Sequence, residues 1–379
     1  MNPEIHVART APSRSIAIVT CYRHPDYVRA ASLRAAARAS GLFHEVHVVK
    51  NRRRGVLRYV EVVLALVRLA FDRPDSYLVT FRGYEILPFV LLLSGRRPVY
   101  YDEFINPVEW FVHEHHRFPP SSRRARMLRA AFRSMMRRCT GVLADTPSHA
   151  DYSATLMDLP RSLYHPVAVG TDEATFHPIG KAWPTDRLRV LYYGSMLPLH
   201  GLEIVLDAAR ALADDERVSF TFVGGDDDDA RAIAAAGADG ARVGHRTWVP
   251  YAELPALFAE HELMLGGPFG DTVQSRYVVT GKTYQFLACA LPTVVGENLE
   301  SWPFLDRGNA LVVRQGDPAA LAATIRWAAD HPGELAGIGR AGRELYERLF
   351  SVDRIAGELG RALGADQLAD VEDARHDEQ

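Results

Sequence analysis

Short apolar runs of strand composition alternate with segments of helical periodicity from one end of the chain to the other, and this most narrows the possible folds. In the first half the strand-like runs are Ser15–Thr20, Glu45–Val49, Tyr77–Thr80, Val99–Asp102, Gly141–Ala144 and Ser162–His165. Helical periodicity fills the gaps at Tyr27–Ser40, Val56–Phe71, Ile86–Ser94, Arg123–Arg138 and His149–Met157. Strands separated by a helix cannot pair as hairpins, so the pattern predicts parallel sheets covered by helices. A Pro/Gly-marked segment, Phe176–Pro184, interrupts the alternation. It then restarts with strands at Arg189–Tyr193, Val218–Val223, Leu263–Gly266, Thr293–Val295 and Ala310–Val313. The expected helices of this half are Leu202–Ala213, Ala230–Ala236, Tyr251–Glu260, Lys282–Cys289, Ala319–Ala329, Glu334–Phe350 and Val352–Leu363. The expected fold is α/β, two doubly wound domains in tandem with a cleft between their facing loops. The domains are read as residues 1–178 and 185–348, joined by a linker at 179–184. A closing helix over 349–364 can pack back on the first domain, and the acidic tail 365–379 lacks apolar periodicity and reads as disordered.

At 379 residues there is room for two substantial cores. Cys21, Cys139 and Cys289 are scattered without metal spacing, so neither a disulfide framework nor a zinc site is expected, and a reducing cytoplasm fits. Met1–Arg14 has no apolar core of a signal peptide, and runs such as Val60–Ala70 fall short of the roughly 20 residues of a membrane span. The chain reads as soluble. The formal charge of −3 hides a polarity, because residues 1–180 hold 25 Lys+Arg against 16 Asp+Glu while residues 181–379 hold 19 against 31. The basic half suits an anionic partner or an ordinary solvated surface. Arg126, Arg129, Arg133 and Arg137 share one face of a predicted helix, which suits a membrane surface or a core-facing helix of an arginine-rich protein. No nucleic-acid-binding motif appears.

The stretch Leu263–Glu297 carries the chemistry. It reads as strand, Gly/Pro loop, polar segment, short helix and strand, and it offers Asp271, Thr272, Arg276 and, at the helix start, Lys282. Helix starts and nearby cations favour anions such as phosphate. Lys282 also stands out because only three of the 44 basic residues are lysines.

Four segments together resemble retaining glycosyltransferases of the GT-B fold, family 4-like: Gly141–Ser148, His165–Asp172 with Phe176-His177-Pro178, Tyr192–Leu202 with Ala208-Ala209, and Phe222–Gly225 with Leu263–Glu297. The resemblance implies two Rossmann-like domains and transfer of a sugar from a nucleotide-diphosphate donor, UDP- or GDP-sugar, to a hydroxyl acceptor, with retention and without a metal or other cofactor. It implies that Lys282, Arg276 and His200 face the donor diphosphate. Gly194, Ser195, Gly225, Gly267, Phe269, Gly270, Asp271, Thr272, Thr283 and Gln285 would line the donor site, with sugar hydroxyls meeting amides of Gly267 to Thr272. The chain departs from the family at the positions usually held by arginine and lysine, here Ser195 and His200. The segment Leu197–Gly201 resembles a bacterial subgroup in which histidine is the norm. The family's glutamate pair is missing: Gln285 aligns with the second, and the first falls on Tyr277 or, with an insertion, on Gly267 of Gly267-Pro268-Phe269-Gly270.

On the acceptor side Asp102 and Glu103 end a strand at the facing edge, where either carboxylate could orient an acceptor hydroxyl or take its proton. His113, His115 and His116 follow as acceptor contacts, with a solvated loop or a metal site as the other readings. Asp226–Asp229 suits either a helix cap or a divalent cation. The acceptor is a lipid-linked glycan, a polysaccharide or a natural product, and the location is cytoplasmic, with contact at the inner membrane face an option. A nucleotide-sugar epimerase, a glycan phosphorylase and a silent nucleotide- or sugar-binding relative stay open on the same fold.

Overall fold

The computed structural model describes residues 14–114, 117–183 and 186–364, and the expected disordered tail lies outside them. Two six-stranded parallel sheets account for the strands. The first holds β1 (Arg14–Thr20), β2 (Phe43–Lys50), β3 (Ser76–Val79), β4 (Val99–Asp102), β5 (Gly141–Ala144) and β6 (Tyr164–Pro166), in the order β2-β1-β3-β4-β5-β6. Its crossovers are α1 (Val28–Ala39), α2 (Leu57–Asp72), α3 (Leu87–Leu93), α4 (Arg123–Met136) and α5 (Pro147–Met157). The second sheet holds β7 (Leu188–Gly194), β8 (Val218–Gly224), β9 (Val243–Arg246), β10 (Leu263–Leu265), β11 (Thr293–Glu297) and β12 (Leu311–Arg314), in the order β12-β11-β10-β7-β8-β9. Around it lie α6 (Leu202–Arg210), α7 (Asp227–Ala238), α8 (Leu254–Ala259), α9 (Gly281–Ala288), α10 (Pro318–Asp330) and α11 (Pro332–Leu349), and α12 (Val352–Ala362) closes the chain.

The alternation of side chains along each strand sorts the first core into two layers. Ala17, Val19, Tyr77, Val79, Tyr101 and Val142 point to the face covered by α2, α3, α4 and α5. Ile16, Ile18, Leu78, Tyr100 and Leu143 point to the other face, which α1 leaves half covered. The missing cover is α12: Ile355 and Leu359 are fully buried against that second layer. The last helix of the chain thus completes the first domain. Glu173 fastens the crossing, its Oε1 accepting from the Val352 amide (2.9 Å) and the Tyr346 hydroxyl (3.0 Å). The segment read as a linker is tied to the second half, with Lys181 Nζ 3.0 Å from the buried Glu262 carboxylate. The four aspartates at the start of α7 form a capping box: Asp226 Oδ1 accepts from the amides of Asp228 and Asp229, and the Asp229 carboxylate accepts from the Asp226 amide.

One strand escapes a reading by pattern. β9 sits at the sheet edge with Gly244 and Arg246 exposed, so its Val-Gly-His-Arg sequence carries no apolar run to reveal it. The cover by α12 yields a prediction for stability. Leu359→Ala leaves a cavity between α12 and the first sheet and is expected to cost about 2–5 kcal/mol in urea denaturation, whereas a change within about 0.5 kcal/mol would mean the helix is dispensable to that core.

Candidate functional site

Each strand order reverses once, between β1 and β3 in the first sheet and between β7 and β10 in the second. Such reversals open a crevice at the carboxyl ends of the strands. In the second sheet the two loops at the reversal interlock. The Gly270 amide donates to the Leu199 carbonyl (3.0 Å), and a Cβ on Gly201 would stand 2.5 Å from the Gly270 nitrogen. A Cβ on Gly270 would meet the Pro198 carbonyl at 2.2 Å, so this backbone contact requires glycine on both strands of the crossing. Behind them, a Cβ on Gly224 would lie 2.1 Å from the Gly194 carbonyl.

Lys282 occupies the first turn of α9 behind these loops. Its side chain is buried, its Nζ lies 4.1 Å from the centroid of the Tyr192 ring, and no hydrogen-bond acceptor among the described residues reaches it. Burial without a counter-charge pulls its pKa down to about 7. His200 Nδ1 is also buried without a partner, close to the Cα hydrogens of Gly194. Burial, with a smaller contribution from the Lys282 charge, holds the His200 imidazole well below its ordinary pKa. The ring is therefore neutral at physiological pH: it can donate or accept a hydrogen bond but does not bring the second positive charge its sequence position suggested. Thr280 precedes α9 and turns its hydroxyl to the Gly266 carbonyl (2.7 Å) instead of capping the helix. The opening of α9 consequently has no side-chain acceptor of its own. The Lys282 charge acts on His200, so two orphaned buried nitrogens lie near each other, one of them carried on the uncapped first turn of α9, and an anion is the group that would satisfy them.

The loop Gly267–Thr272 is arranged differently from expectation. The Gly267 amide donates to Val294 (3.2 Å), the Gly270 amide to Leu199, and the Thr272 amide to Ser275 Oγ (3.0 Å). These three amides hold the loop, which leaves those of Phe269 and Asp271 as the loop's candidate donors to a sugar. The Phe269 ring is 1% exposed in the core of the second domain, so only its backbone borders the crevice. Asp271 and Arg276 are exposed and pair with each other at 3.0 Å, away from the Lys282 pocket's buried surroundings. Thr272 Oγ1 accepts from the Ser275 amide (3.1 Å), and the Thr283 hydroxyl is buried 3.0 Å from that of Thr280. Gln285 is buried one turn after Lys282, within reach of Tyr251. Ser195 is exposed beyond Gly194, and Gly225 turns at φ +84° in front of the α7 cap.

On the facing edge, Asp102 and Glu103 are both fully buried. Asp102 Oδ1 accepts from the buried Arg29 guanidinium (2.9 Å) and Oδ2 from the Phe81 amide (3.2 Å). Glu103 Oε1 accepts from Asn106 Nδ2 (2.9 Å) and from the Ser153 hydroxyl. Both carboxylates are thus engaged within the first domain, with Glu103 Oε2 left without a partner among the described residues. His113 lies in a π-helical turn, Glu109–Glu114, and its side chain, with His115 and His116, falls outside the described residues. What does face the crevice at the β1/β3 reversal is aromatic. Phe81 stacks on Tyr27 (4.6 Å between centroids) and meets Tyr22 and Phe104 edge-on, while the Arg82 guanidinium lies over Tyr22 and Trp110. Sequence reasoning missed this group because its members come from three separate loops, after β1, β3 and β4.

The two edges are joined by a second group that the sequence did not reveal. The Tyr277 hydroxyl reaches across to Glu109, its carbonyl accepts from Thr146 Oγ1 (2.6 Å), and its ring stacks against His149 and Tyr152. Glu300 Oε1 accepts from the Ser148 amide (2.8 Å) beside it. His149 Nδ1 sits 2.5 Å from Asp145 Oδ1, both side chains buried. Burial alone would lower the His149 pKa, but the Asp145 charge and hydrogen bond, helped by Glu103 and Glu109, outweigh it and raise the pKa to about 9. A raised histidine pKa adds stability that is complete below the ordinary value of 6.5 and is lost as pH rises through about 9. His149→Gln is therefore expected to lower the melting temperature at neutral pH, with the gap to the unmodified protein closing above about pH 9. A gap that does not change with pH would show that the imidazole is held neutral.

A sequence profile described as glycosyl transferase-like matches residues 168–360, half of the chain. No curated protein matches the sequence. Among solved structures, HepE of Anabaena in complex with UDP and glucose superposes with a TM-score of 0.66 at 16% identity, over 93% of this chain and 100% of that one. Sucrose-phosphate synthase of Thermosynechococcus elongatus gives 0.68 at 17%, over 94% and 99%. A glycosyltransferase of Rickettsia africae gives 0.63 at 10%, over 93% and 98%. At these identities the likeness is one of fold, the GT-B arrangement of two Rossmann-like domains. With the profile match over the half that carries Lys282, His200 and the interlocked glycine loops, the chain belongs to the glycosyl transferase-like family.

Proposed function

We propose that this protein transfers a sugar from a nucleoside-diphosphate donor to a hydroxyl acceptor, with retention of anomeric configuration and without a metal. The observation that carries this reading is the unpartnered, buried Lys282 ammonium next to the unpartnered His200 Nδ1 at the start of α9. Glycosyl transfer places growing negative charge on the departing diphosphate and positive charge on the anomeric carbon. A lysine that has no counter-ion beforehand interacts more strongly with that developing charge than with the neutral surroundings it leaves. Neutral His200 would add a hydrogen bond and the amides opening α9 a partial charge. Such a mechanism needs no protein nucleophile.

The subgroup reading, family 4-like with histidine in the Leu197–Gly201 segment, rests on the sequence resemblance and agrees with the position of His200. UDP or GDP is the expected nucleotide, and HepE, which has been solved with UDP-glucose, leans the choice toward uridine. Asp271 and Arg276 would have to exchange their mutual pair for contacts with the donor. The acceptor, a lipid-linked glycan, a polysaccharide or a natural product, would lie against Tyr22, Tyr27, Phe81 and Phe104, whose rings suit the apolar faces of sugars or of an aglycone. Three free, buried cysteines agree with a cytoplasmic setting.

Two tests follow from Lys282. Lys282→Met keeps the shape and removes the charge. It is expected to lower turnover by about two to three orders of magnitude while raising the stability of the unliganded protein by about 1 kcal/mol at neutral pH. Because the lysine pKa is depressed from 10.5 to about 7 on folding, the unfolded chain binds the extra proton between those values. Stability of the unmodified protein therefore rises with pH across that window, and the advantage of the variant should shrink. Full activity in Lys282→Met would overturn the assignment. The second test is calorimetric. Binding of UDP or GDP at about pH 8 should take up close to one proton, seen as a dependence of the heat on buffer ionisation enthalpy, and the uptake should vanish in Lys282→Met. Binding without proton uptake would mean that the diphosphate does not reach Lys282. Retention is checked by the anomeric coupling constant of the product.

A further inference from the structure

Helix α2 is apolar on both sides. Val62, Leu66 and Leu69 face the core, as a crossover helix requires. Its exposed positions are Leu57, Val60, Leu64, Val67, Arg68, Phe71 and Asp72, so a ridge of five apolar side chains, spaced three and four apart, runs along the outer face. Leu57, Val60 and Leu64 are at least half exposed, and Phe71 is 81% exposed. Val56, the N-cap of α2, is 77% exposed, and the neighbouring α3 adds exposed Phe89 and Leu92. Solvated crossover helices carry polar residues there, and a helix that is hydrophobic all round is normally buried.

The ridge is framed by cations. Glu61 accepts from the amides of Arg52 (2.9 Å) and Arg53 (2.8 Å), which folds the Arg52-Arg53-Arg54 run against the first turns of α2. Arg68 stands within the ridge, Arg73 at its far end and Arg96 after α3, all exposed. On the same side of the sheet α4 presents an open groove of about 750 Å³ lined by Arg126, Arg129, Arg133, Arg137 and Arg138, with Asp158 paired to Arg133 at 2.6 Å. Among the described residues no helix is long and apolar enough to cross a membrane, so α2 can only lie along a surface.

We infer that the outer face of α2 and α3 is a docking surface for an anionic lipid bilayer, with the ridge entering the acyl boundary and the surrounding arginines at the phosphates. An amphipathic element in that position combines buried apolar area with attraction to acidic headgroups. Charge decides against a second copy of the chain as the occupant: a two-fold contact between two such ridges brings arginine against arginine. The inference does not depend on the transfer reaction, since its observations lie on the helices away from the crevice.

The experiment is co-sedimentation of the full chain with phosphatidylcholine vesicles, with and without phosphatidylglycerol. Binding is expected only with the acidic lipid. Leu64→Glu combined with Phe71→Glu should weaken it at least about tenfold. Arg52, Arg53 and Arg54 changed to Gln should each weaken it by about fivefold and flatten its salt dependence. Nucleotide binding by the Leu64→Glu/Phe71→Glu variant should match that of the unmodified protein, which shows that the variant is folded. Equal binding to neutral vesicles, or binding unaffected by the glutamates, overturns the proposal. So does a dimer in solution that the same glutamates dissolve, because it assigns the ridge to a second copy.

Discussion

The seam between the carboxyl edges of the two sheets is the constraint on which the rest of the molecule depends. Tyr277 reaches from the second half to Glu109 and Thr146 of the first, and Glu300 meets the Ser148 amide beside it. The same edges carry the crevice at each topological reversal, so the contacts that hold the halves together also bring the Lys282 pocket opposite the aromatic group at Phe81. From the other end α12 crosses back over Glu173 and completes the core of the first domain. The two halves are therefore joined twice, once through polar side chains near the site and once through apolar burial. These differ in kind. Apolar burial tolerates small displacements, whereas hydrogen bonds of the Tyr277 type are lost over fractions of an ångström.

Burial explains the chemistry of the site as well as its shape. Arg29 and Asp102 are fully buried, but each satisfies the other and the guanidinium also donates to the carbonyls of Val167 and Ala168. That pair is structural, because charge meets charge at 2.9 Å inside the protein. Lys282 is buried to a similar degree and is answered by nothing except the face of Tyr192. A buried charged group without an acceptor costs free energy, and proteins accept such costs where a ligand removes them.

Much of the fold was legible in sequence because it rests on local periodicity. The alternation of strands and helices, the break near Ile179 and the helix restart at Gly281 are all written in stretches of ten residues or fewer. β9 was not legible, since an exposed edge strand has no apolar signal. At the candidate site, Lys282 and His200 were read from a helix start and a resemblance, and each has a buried nitrogen without a partner among the described residues. The burial of Phe269, Asp102 and Glu103 was not legible, because an aromatic or acidic residue at a strand end looks the same in sequence whether it faces a crevice or lies beneath it. The aromatic group drew no functional reading, and Tyr277 was read only as a position for the family's first glutamate, because the residues they meet come from separate loops or from the other half of the chain.

The sequence by itself determined the class of fold and the two-domain division, and it pointed to one segment, Leu263–Glu297, as the candidate to meet an anion. Those properties follow from periodicity, turn residues and helix starts, which act over a few residues at a time. Only the tertiary structure decided which charges are satisfied. Asp102 finds Arg29 across 73 positions and the Glu103 charge comes to act on His149, while Lys282 finds no acceptor among the described residues. Whether a charge is paired depends on what long-range packing brings beside it, and no local pattern encodes that.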